Sequence, residues 1–593
     1  MSFTEGGDGP GFSDASAAFV GRARDPAKIG ADYIVTRRLT DALLATGDVR
    51  REEVERALRD RRLRQVTGDM LLSSPIAARR KVDIRRTDER TVIAGPWLSH
   101  VQEVGPAGLL ARDFAPALAR RAATRRPGER SFRIGAASWQ RIMFGALALA
   151  VLVGAIAAPT LLAQTTLATG FAVVAMNAVL WIAACLASRG AHRAPEQATP
   201  PPELPKISLL VPLYREPETL PLLINALTAL KYPRKALEVK IVLEEDDDVT
   251  RLALAGLALP SHFEVLTAPD GAPRTKPRAL NYALDFTTGD IIGIYDAEDR
   301  PAADQLLDIA AVFAASGPAT ACVQARLSYY NAKENWLTRC FELEYAAWFD
   351  VMLPGLLRLG LPLPLGGTSL FLRRDALEAV GGWDSHNVTE DADLGMALAR
   401  AGYETALSVS ITEEEASSRT LAWIKQRSRW LKGYLATWST HMRTPGALIA
   451  DLGWRRFAGF NAVLLGAVLG YLLMLPLWGL AGFAFLGWFG DDLAGNLQRI
   501  LYVGALALPA LGIASALGLS RRKRLEFAGW IVTAPVYWLL GAAAAYLAVW
   551  ELLFAPTKWR KTQHGVGEIA SLMRESSNSS QNAAPFVGPG DRK

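Results

Sequence analysis

Apolar residues are concentrated in two regions, on either side of a long stretch in which short apolar runs alternate with polar segments. In the first region no charged residue occurs between Arg141 and Arg189. A single membrane span needs about 20 residues, so this run predicts two spans, with Pro159 and the polar residues 164–166 supplying the turn. Basic residues flank the run while the turn carries no charge, which predicts a transmembrane hairpin over 139–188 with both ends in the cytoplasm.

The second apolar region, over 456–556, contains three uncharged runs, at 457–490, 500–520 and 527–550. Three simple spans would leave the basic residues 558–561 outside the cell, against the positive-inside rule. One run is therefore expected to fold back or to lie in the interface. The first run is long enough to do so and contains Pro476, but Pro535 interrupts the third run and the basic residues 521–524 precede it, so the third is the better candidate.

Residues 200–445, between the apolar regions, alternate strand and helix patterns after a Pro-rich linker, which predicts a mixed α/β sheet. The predicted strands are Lys206–Tyr214, Leu237–Leu243, Phe263–Ala268, Ile291–Asp296 and Ala319–Tyr330. A helix is expected over Pro277–Phe286.

The two ends of the chain differ from this pattern. Residues 1–30 and the end of the basic tail at 557–593 have the Gly, Ser and Pro content of disordered segments. Residues 31–135 are polar and Arg-rich with helical spacing, including a predicted helix start near Asp48. They predict a small helical cytosolic region.

Composition and charge narrow the class of protein. Half of the residues are hydrophobic and 21% are charged, which indicates a membrane protein. The net charge of +6 comes with basic residues beside the apolar runs, so it fits orientation in a lipid bilayer better than nucleic-acid binding. The three cysteines have no metal-like spacing and imply no disulfide framework.

An acidic stretch follows the predicted strand that begins at Ile291. Asp296, Glu298 and Asp299 occur within four positions, before Pro301. Carboxylates at the C-terminal end of a buried strand lie where ligands bind in α/β sheets, and clustered oxygen ligands suit Mg²⁺ or Mn²⁺. A solvated acidic turn is the alternative.

Four further motifs accompany this stretch. They are Val211–Pro217, the acidic run Leu243–Asp248, Thr275–Asn281, and the pair formed by Thr389–Asp391 (Thr-Glu-Asp) with Gln426–Trp430 (Gln-Arg-Ser-Arg-Trp). Together, in this order, they resemble the GT-A (nucleotide-diphospho-sugar transferase) catalytic domain of family-2 inverting glycosyltransferases of the membrane-embedded cellulose, hyaluronan and chitin synthase type. The resemblance covers residues 200–440, and the flanking transmembrane regions match the same architecture.

The resemblance implies a site for the nucleotide of a UDP-sugar. The residues it assigns to that site are Tyr214, Glu216, Glu244 or Glu245, Lys276 and Asn281. The family has Asp-Asp where this chain has Glu-Glu, so Asp246 remains the runner-up for the base contact. A tyrosine face can stack on a base, and a lysine at a helix start can meet a phosphate.

The resemblance also implies the metal site and the catalytic groups. Asp296 and Glu298, with Asp299 as an alternative, would bridge Mg²⁺ or Mn²⁺ to the donor diphosphate, although Glu298 replaces the family's second Asp. Asp391 matches the base that deprotonates the acceptor. The residues matching the acceptor and pyrophosphate contacts are Glu390, Gln426, Arg429 and Trp430. A Gly-Gly-Thr-Ser run at 366–369 resembles the family's Gly-Thr stretch near the acceptor.

These implications predict a multi-pass inner-membrane enzyme with a cytoplasmic catalytic domain. It would add sugars from a UDP-sugar to a saccharide acceptor with inversion, building a β-linked polysaccharide coupled to export. Two alternatives are non-processive transfer to a lipid or lipid-linked acceptor, and a transporter or receptor with a degenerate transferase domain. Residues 31–135 faintly resemble the N-terminal domain of type II secretion ATPases, which suggests docking of export or regulatory partners; a solvated helical appendage explains them equally well.

Overall fold

The computed structural model describes residues 114–189, 200–486 and 512–556, the two strands of a hairpin at 83–94, and a few isolated positions. The predictions made for residues 1–30, for the helix near Asp48 and for 557–593 lie outside the described residues or almost entirely so. The chain divides into two compact units. The first comprises Met1–Arg125, Pro205–Leu220 and Pro233–Ile292, and the second comprises Arg126–Leu204, Pro221–Tyr232 and Gly293–Lys593.

The elements are numbered in chain order. The strands are β1 (Asp83–Thr87), β2 (Arg90–Ala94), β3 (Ile207–Leu213), β4 (Leu237–Glu244), β5 (Phe263–Ala268), β6 (Ile291–Ile294), β7 (Arg300–Pro301), β8 (Thr320–Tyr329), β9 (Leu370–Arg373) and β10 (Glu404–Glu414). The α-helices are α1 (Ala115–Thr124), α2 (Ser138–Ala157), α3 (Pro159–Ser188), α4 (Leu220–Thr228), α5 (Asp248–Ala255), α6 (Lys276–Leu284), α7 (Gln305–Ala315), α8 (Trp336–Ala347), α9 (Leu353–Arg358), α10 (Arg374–Ala379), α11 (Glu390–Arg400), α12 (Thr420–His441), α13 (Pro445–Phe485) and α14 (Ala534–Phe554). A π-helical turn (Trp348–Met352) precedes α9, and a 3-10 helix (Leu525–Thr533) precedes α14.

The first unit is built on parallel strands. β3 pairs with β4 and β4 with β5, both in parallel, while β6 lies on the other side of β3. β3 and β4 are almost wholly buried, as expected of continuous apolar runs covered on both faces. α1 packs on α6, where Asp285 pairs with Arg121 at 3.2 Å and with Arg125 at 2.7 Å. The antiparallel β1–β2 hairpin also belongs to this unit. It lies within residues 31–135, for which the sequence predicted helices and no strands.

The second unit contains strands that pair both antiparallel and in parallel. β8 pairs with β9 antiparallel and with β10 in parallel, and β10 pairs with β7 antiparallel. The predicted mixed α/β sheet is therefore confirmed. Each of the five predicted strands is present to within two residues at either end, and α6 occupies the predicted helix.

Among the residues that the structure describes, four segments are long and apolar enough to cross a membrane, judged by length and composition. They are Ser138–Ala157, Pro159–Ser188, Pro445–Phe483 and Leu525–Phe554. The first two match the predicted pair of apolar helices over 139–188, but the turn differs from the prediction. The break falls at Ala158, and residues 164–166 lie inside α3, because Pro159 occupies the first turn of a helix, where it removes no hydrogen bond.

The C-terminal apolar region also differs from the prediction in where its prolines lie within the helices. Pro535 lies in the first turn of α14 rather than interrupting a helix, and Pro476 lies within α13. The basic residues before α14 are held by the second unit. Arg522 Nε lies 2.6 Å from Asp350 Oδ2, and Arg522 Nη1 lies 3.1 Å from Glu342 Oε1. This loop is therefore anchored to the α/β part of its own unit.

Candidate active site

In the first unit, Tyr214 follows β3 and contacts the carboxylate of Asp246. The Tyr214 hydroxyl donates to Asp246 Oδ2 at 3.3 Å, and Arg274 Nη1 donates to the same oxygen at 2.7 Å. The Arg215 guanidinium lies 5.0 Å from the centre of the Tyr214 ring. The structure thus brings together an aromatic face, two guanidinium groups and a carboxylate whose side chain is 34% exposed.

Hydrogen bonds to the start of α5 fix the backbone after Tyr214. Asp247 caps this helix by accepting from Thr250 N at 3.0 Å, and its other oxygen accepts from Arg215 N at 2.6 Å. The Glu216 amide donates to the Thr250 hydroxyl at 3.0 Å. Arg215 has a φ of +54°, a left-handed conformation that these bonds maintain. Asp247 therefore has a structural role, and the loop that carries Tyr214 and Glu216 is rigidly placed.

Glu244 and Glu245 make contacts within the fold. Glu244 forms a buried, hydrogen-bonded ion pair with Arg278, whose Nη1 also donates to the Pro269 carbonyl at 2.7 Å. Burial raises the pKa of Glu244 to about 7, against the opposing charges of Arg278 and Arg274. Glu245 Oε2 accepts from the Asp270 amide at 2.7 Å. Of the three carboxylates considered for the base contact, Asp246 is the one beside Tyr214.

Replacing Glu244 with alanine is expected to destabilise the protein. The change leaves the buried guanidinium of Arg278 without its carboxylate, and breaking one side of a buried ion pair costs about 3–5 kcal/mol. Thermal unfolding of the detergent-solubilised protein measures the loss. The matched control is Asp246→Ala, which removes a half-exposed carboxylate worth at most about 1 kcal/mol. Equal loss of stability in the two variants would contradict the assignment of Glu244 to a buried ion pair with Arg278.

Lys276 and Asn281 lie on the same helix in different surroundings. Lys276 is half-buried in the first turn of α6. Asn281 is fully buried, and its side-chain amide donates to the Ala122 carbonyl of α1 at 3.0 Å. The Asn281 carbonyl in turn accepts from Arg125 Nη1 at 3.3 Å. Asn281 therefore helps to dock α1 onto α6.

In the second unit, the acidic stretch forms a tight loop around Asp299. This carboxylate accepts from the Asp296 amide at 2.7 Å and from the hydroxyl of Thr368. Burial and the neighbouring charges of Asp296 and Glu298 raise the pKa of Asp299 well above its ordinary value. Asp296 and Glu298 are only half-buried. The structure separates the three predicted carboxylates into one that organises the loop and two that reach its surface.

Asp391 lies in the first turn of α11, close to α12. Its Oδ1 accepts from the Ala392 amide at 2.8 Å. The residue before this helix, Thr389, packs directly on α12: a Cβ placed on Gly433 would lie 2.1 Å from Thr389 Oγ1. Arg429 Nη1 donates to the Val388 carbonyl at 3.4 Å, which ties α12 to the same loop. The Thr-Glu-Asp and Gln-x-x-Arg-Trp motifs are therefore brought together.

Trp430 is seated on aromatic rings and a buried guanidinium. Its ring centre lies 5.8 Å from that of Phe341 and 6.5 Å from that of Tyr345. The Arg427 guanidinium lies 4.7 Å from the Trp430 ring and forms a two-bond pair with Glu344, at 2.6 and 2.5 Å. Within the described part of the chain, Gln426 Oε1 and Arg429 Nε are buried and have no hydrogen-bond partner. Such polar atoms are suited to a bound ligand.

A buried polar network contacts α11 through Asp393. Asp393 pairs with Arg126 at 3.3 Å and with His441 Nε2 at 3.1 Å. Although burial opposes ionisation, Arg126 and the His441 hydrogen bond hold the pKa of Asp393 below its ordinary value. Asp384 accepts from the Phe132 amide at 2.6 Å and from the Ser131 hydroxyl at 2.7 Å. The segment before the first apolar helix thus anchors the helix that carries Asp391.

Sequence reasoning missed several residues of this site. Gly433, Arg427 and Glu344 act through contacts between segments far apart in the chain. Arg427 lies within the Gln-Arg-Ser-Arg-Trp motif, but the motif gave it no role. The spacing of a glycine three residues after Trp430 is the one available signal for a close approach of α12.

Comparison with known proteins finds a family whose model matches the later part of the α/β region and the C-terminal apolar region. Residues 291–548 match the family described as "Glycosyl transferase family group 2". This region is therefore similar to family-2 glycosyltransferases, and the predicted fold class, a GT-A α/β domain flanked by apolar helices, is confirmed.

Individual relatives share part of their length with the chain. A beta-monoglucosyldiacylglycerol synthase of Trichormus variabilis is 33% identical over 243 residues, covering 40% of this chain and 51% of the relative. Cellulose synthase 1 of Komagataeibacter xylinus is 28% identical, covering 41% of this chain and 16% of the relative. The solved structure of mannosyltransferase PcManGT from Pyrobaculum calidifontis, in complex with GDP-Man and Mn²⁺, aligns with a TM-score of 0.42 at 19% identity, covering 64% of this chain and 99% of that one. The chain spans about half the length of the first of these relatives.

Proposed function

We propose that this protein is a membrane-bound inverting glycosyltransferase that uses a nucleotide-diphosphate sugar, with a UDP-sugar as the expected donor. The observation that supports the proposal is the packing of Thr389 on Gly433 of α12, because Thr389 directly precedes the helix that carries the half-buried Asp391 and α12 carries Gln426, Arg429 and Trp430. A carboxylate, a guanidinium and an indole on adjoining elements provide a base, a partner for a leaving diphosphate and a surface for a sugar ring.

In the proposed reaction Asp391 accepts the proton of the acceptor hydroxyl. The hydroxyl oxygen attacks the anomeric carbon from the face opposite the diphosphate, and the bond between that carbon and the diphosphate oxygen breaks with inversion. Arg429 and Gln426 orient the departing diphosphate, and Trp430 offers its ring to the acceptor sugar. Glu390 is buried and precedes Asp391 in the chain, and we propose it as a further contact for the acceptor or the diphosphate.

A divalent cation, Mg²⁺ or Mn²⁺, fits the acidic loop. Asp296 and Glu298 are near enough to Asp299 for their charges to raise its pKa, so this loop concentrates negative charge that a cation would neutralise. The described residues contain no group of three or more His, Cys, Asp or Glu side chains suited to hold a metal. Asp296 and Glu298 would hold the cation together with the donor diphosphate, whose charge the metal would offset.

Chelation is expected to stop sugar transfer. Excess EDTA should lower the rate at least about a hundredfold, because an unneutralised diphosphate is a poor leaving group, and added Mg²⁺ or Mn²⁺ should restore it. The same titration on Glu298→Gln tests the site, since loss of one negatively charged oxygen ligand should raise the metal concentration needed for half-maximal activity. Transfer that is insensitive to EDTA would contradict the metal assignment.

For the nucleotide, we propose Tyr214, Glu216 and Lys276 as predicted, with Asp246 as the carboxylate beside the base. The half-exposed cluster of Tyr214, Asp246 and Arg274 supports this choice, whereas the contacts of Glu244 and Asn281 are internal to the fold.

Two acceptors remain in the proposal. The pairing of Thr-Glu-Asp with Gln-x-x-Arg-Trp between apolar helices supports processive synthesis of a β-linked polysaccharide coupled to export. A lipid acceptor is supported equally, because the relative at 33% identity is by name a synthase of a glucosylated diacylglycerol. The ion pairs of Arg522 with Asp350 and Glu342 support a cytoplasmic catalytic domain, since they hold a basic loop of the apolar region against that domain.

The deciding experiment is a product assay with purified full-length protein. Radiolabelled UDP-glucose and UDP-N-acetylglucosamine are supplied with Mg²⁺ and either cellotetraose or diacylglycerol. Polymer retained on a filter indicates the polysaccharide reaction, and label extracted into organic solvent indicates the lipid reaction. Linkage analysis then tests inversion. Absence of labelled product from these donors, with active protein of a relative as a positive control, would contradict the proposal.

A further inference from the structure

The last apolar helix, α14, contacts α12 near both of its ends. At its start, the Tyr537 hydroxyl donates to Glu344 Oε2 at 2.5 Å and accepts from Arg427 Nη2 at 3.3 Å. The ring centres of Tyr537 and Trp423 are 4.8 Å apart. Tyr537 and Glu344 therefore both hold the Arg427 guanidinium in place. This guanidinium in turn lies against the Trp430 ring.

Near the other end of α14, Glu551 pairs with Lys432 of α12. The Lys432 Nζ and the Glu551 Oε2 are 3.3 Å apart, and the two side chains are 1% and 5% exposed. A carboxylate in an apolar helix is costly to bury, so it commonly faces a polar partner and marks a functional position. Lys432 lies two residues after Trp430, and Arg427 lies three residues before it.

Between these two polar contacts, small residues allow α14 to approach its neighbours closely. Ala544, Ala545 and Ala548 are fully buried and pack with Leu431 of α12. A Cβ placed on Gly541 would lie 2.3 Å from the Tyr471 ring of α13. Small residues in this arrangement permit tight helix packing in an apolar environment. The opposite face of α14 is exposed, with Trp550 at 62% and Leu553 at 69%.

We propose that Tyr537 and Glu551 are positioning residues for the acceptor: they hold Arg427 and Lys432, and thereby fix the segment of α12 that presents Trp430. This inference rests on the proposed function. Under this inference α14 is an apolar helix of the membrane region that also supports the acceptor site. When α12 shifts, the acceptor hydroxyl no longer meets the anomeric carbon, while the donor remains bound. Water then attacks that carbon in place of the acceptor and gives its proton to Asp391. The bond from that carbon to the diphosphate oxygen breaks, which releases UDP and the free sugar.

The test uses charge exchange in the full-length protein. Glu551→Gln and Lys432→Met are each expected to raise the KM for the acceptor about tenfold or more, since a misplacement of about 1 Å can cost up to a hundredfold. The KM for UDP-glucose should change by a smaller factor than the acceptor KM, because Tyr214, Glu216 and Lys276, the proposed nucleotide contacts, lie outside α12. The ratio of UDP released to sugar transferred should rise. The exchanged pair Lys432→Glu with Glu551→Lys should recover at least half of the lost effect, because it restores the ion pair. Tyr537→Phe should change the KM in the same direction by a smaller factor.

Cellotetraose and diacylglycerol are the acceptor probes, and kinetics are normalised to folded protein measured by size-exclusion chromatography. Trp550→Leu is the matched control, because it alters the exposed face of α14 beside Glu551 and should leave the acceptor KM unchanged. Single variants that keep the wild-type acceptor KM and coupling ratio, or that lose only the amount of folded protein, would overturn the inference. Wild-type protein that transfers no sugar to either probe would overturn the proposed function and this inference together, so the two failures are distinguishable.

Discussion

Replacing Asp391 with asparagine is expected to abolish sugar transfer. Asparagine retains the size of the side chain but cannot accept the proton of the acceptor hydroxyl, and loss of a general base typically costs about 10²–10⁴-fold in rate. Asp391 Oδ1 also accepts from Ala392 N at 2.8 Å, a bond that the asparagine oxygen can retain, so the first turn of α11 should persist. The measurement is the rate of sugar transfer from a UDP-sugar, with the affinity for UDP measured in parallel and expected to be unchanged.

Asp375 provides the matched control. It occupies the same position in the first turn of α10, and its Oδ1 accepts from Ala376 N at 2.8 Å, as Asp391 does from the residue after it. Asp375→Asn should therefore leave transfer at the wild-type rate. If Asp391→Asn were as active as Asp375→Asn, Asp391 would not be the base, and a transporter or receptor with a degenerate transferase domain would become the better hypothesis.

The strands were predictable because each has a strong local pattern. β3 and β6 are continuous apolar runs followed by a polar turn, and such a run needs burial on both faces whatever its neighbours are. β10 was not predicted, since its sequence mixes charged and apolar residues, and β7 is only two residues long. β10 pairs mainly with β8 and β7 pairs with β10, and a contact between distant segments leaves no local pattern.

The apolar regions show a similar limit. The absence of charge between Arg141 and Arg189 predicted two apolar helices, but hydropathy could not locate the turn between them. Polar residues at 164–166 suggested the turn, yet the Thr165 hydroxyl donates to the Leu162 carbonyl within α3. The break between α2 and α3 falls just before Pro159, because proline is favoured in the first turn of a helix and disfavoured inside one.

At the candidate site, the residue types were predictable and their partners were not. Glu244 and Asn281 match the expected motif positions, but buried contacts with Arg278 and Ala122 use their side chains. Asp299 carries a carboxylate like Asp296, and only its burial against Thr368 separates the two. Sequence spacing assigns a residue to a loop, whereas packing decides whether its side chain faces a ligand or the interior.

Replacing Gly433 with alanine is expected to reduce sugar transfer about a hundredfold. The added methyl group would lie 2.1 Å from Thr389 Oγ1 and 2.4 Å from Thr389 Cγ2, so α12 must move away from the loop that carries Asp391. Overpacking of this kind costs about 1–3 kcal/mol in stability, and a displacement of about 1 Å between reacting groups can cost about 10² in rate. The measurements are the rate of transfer and the unfolding temperature, with the larger change expected in the rate.

Gly479 of α13 is the matched control, because a Cβ placed there meets no atom within 4 Å. Gly479→Ala should leave the rate unchanged and raise stability slightly, since alanine is favoured over glycine in a helix interior by about 1 kcal/mol. In the Gly433→Ala background, Thr389→Gly removes the atoms that clash and should restore part of the lost rate. A Gly433→Ala protein with wild-type activity would show that close packing of α12 on the Thr389–Asp391 loop is not needed to assemble the catalytic groups.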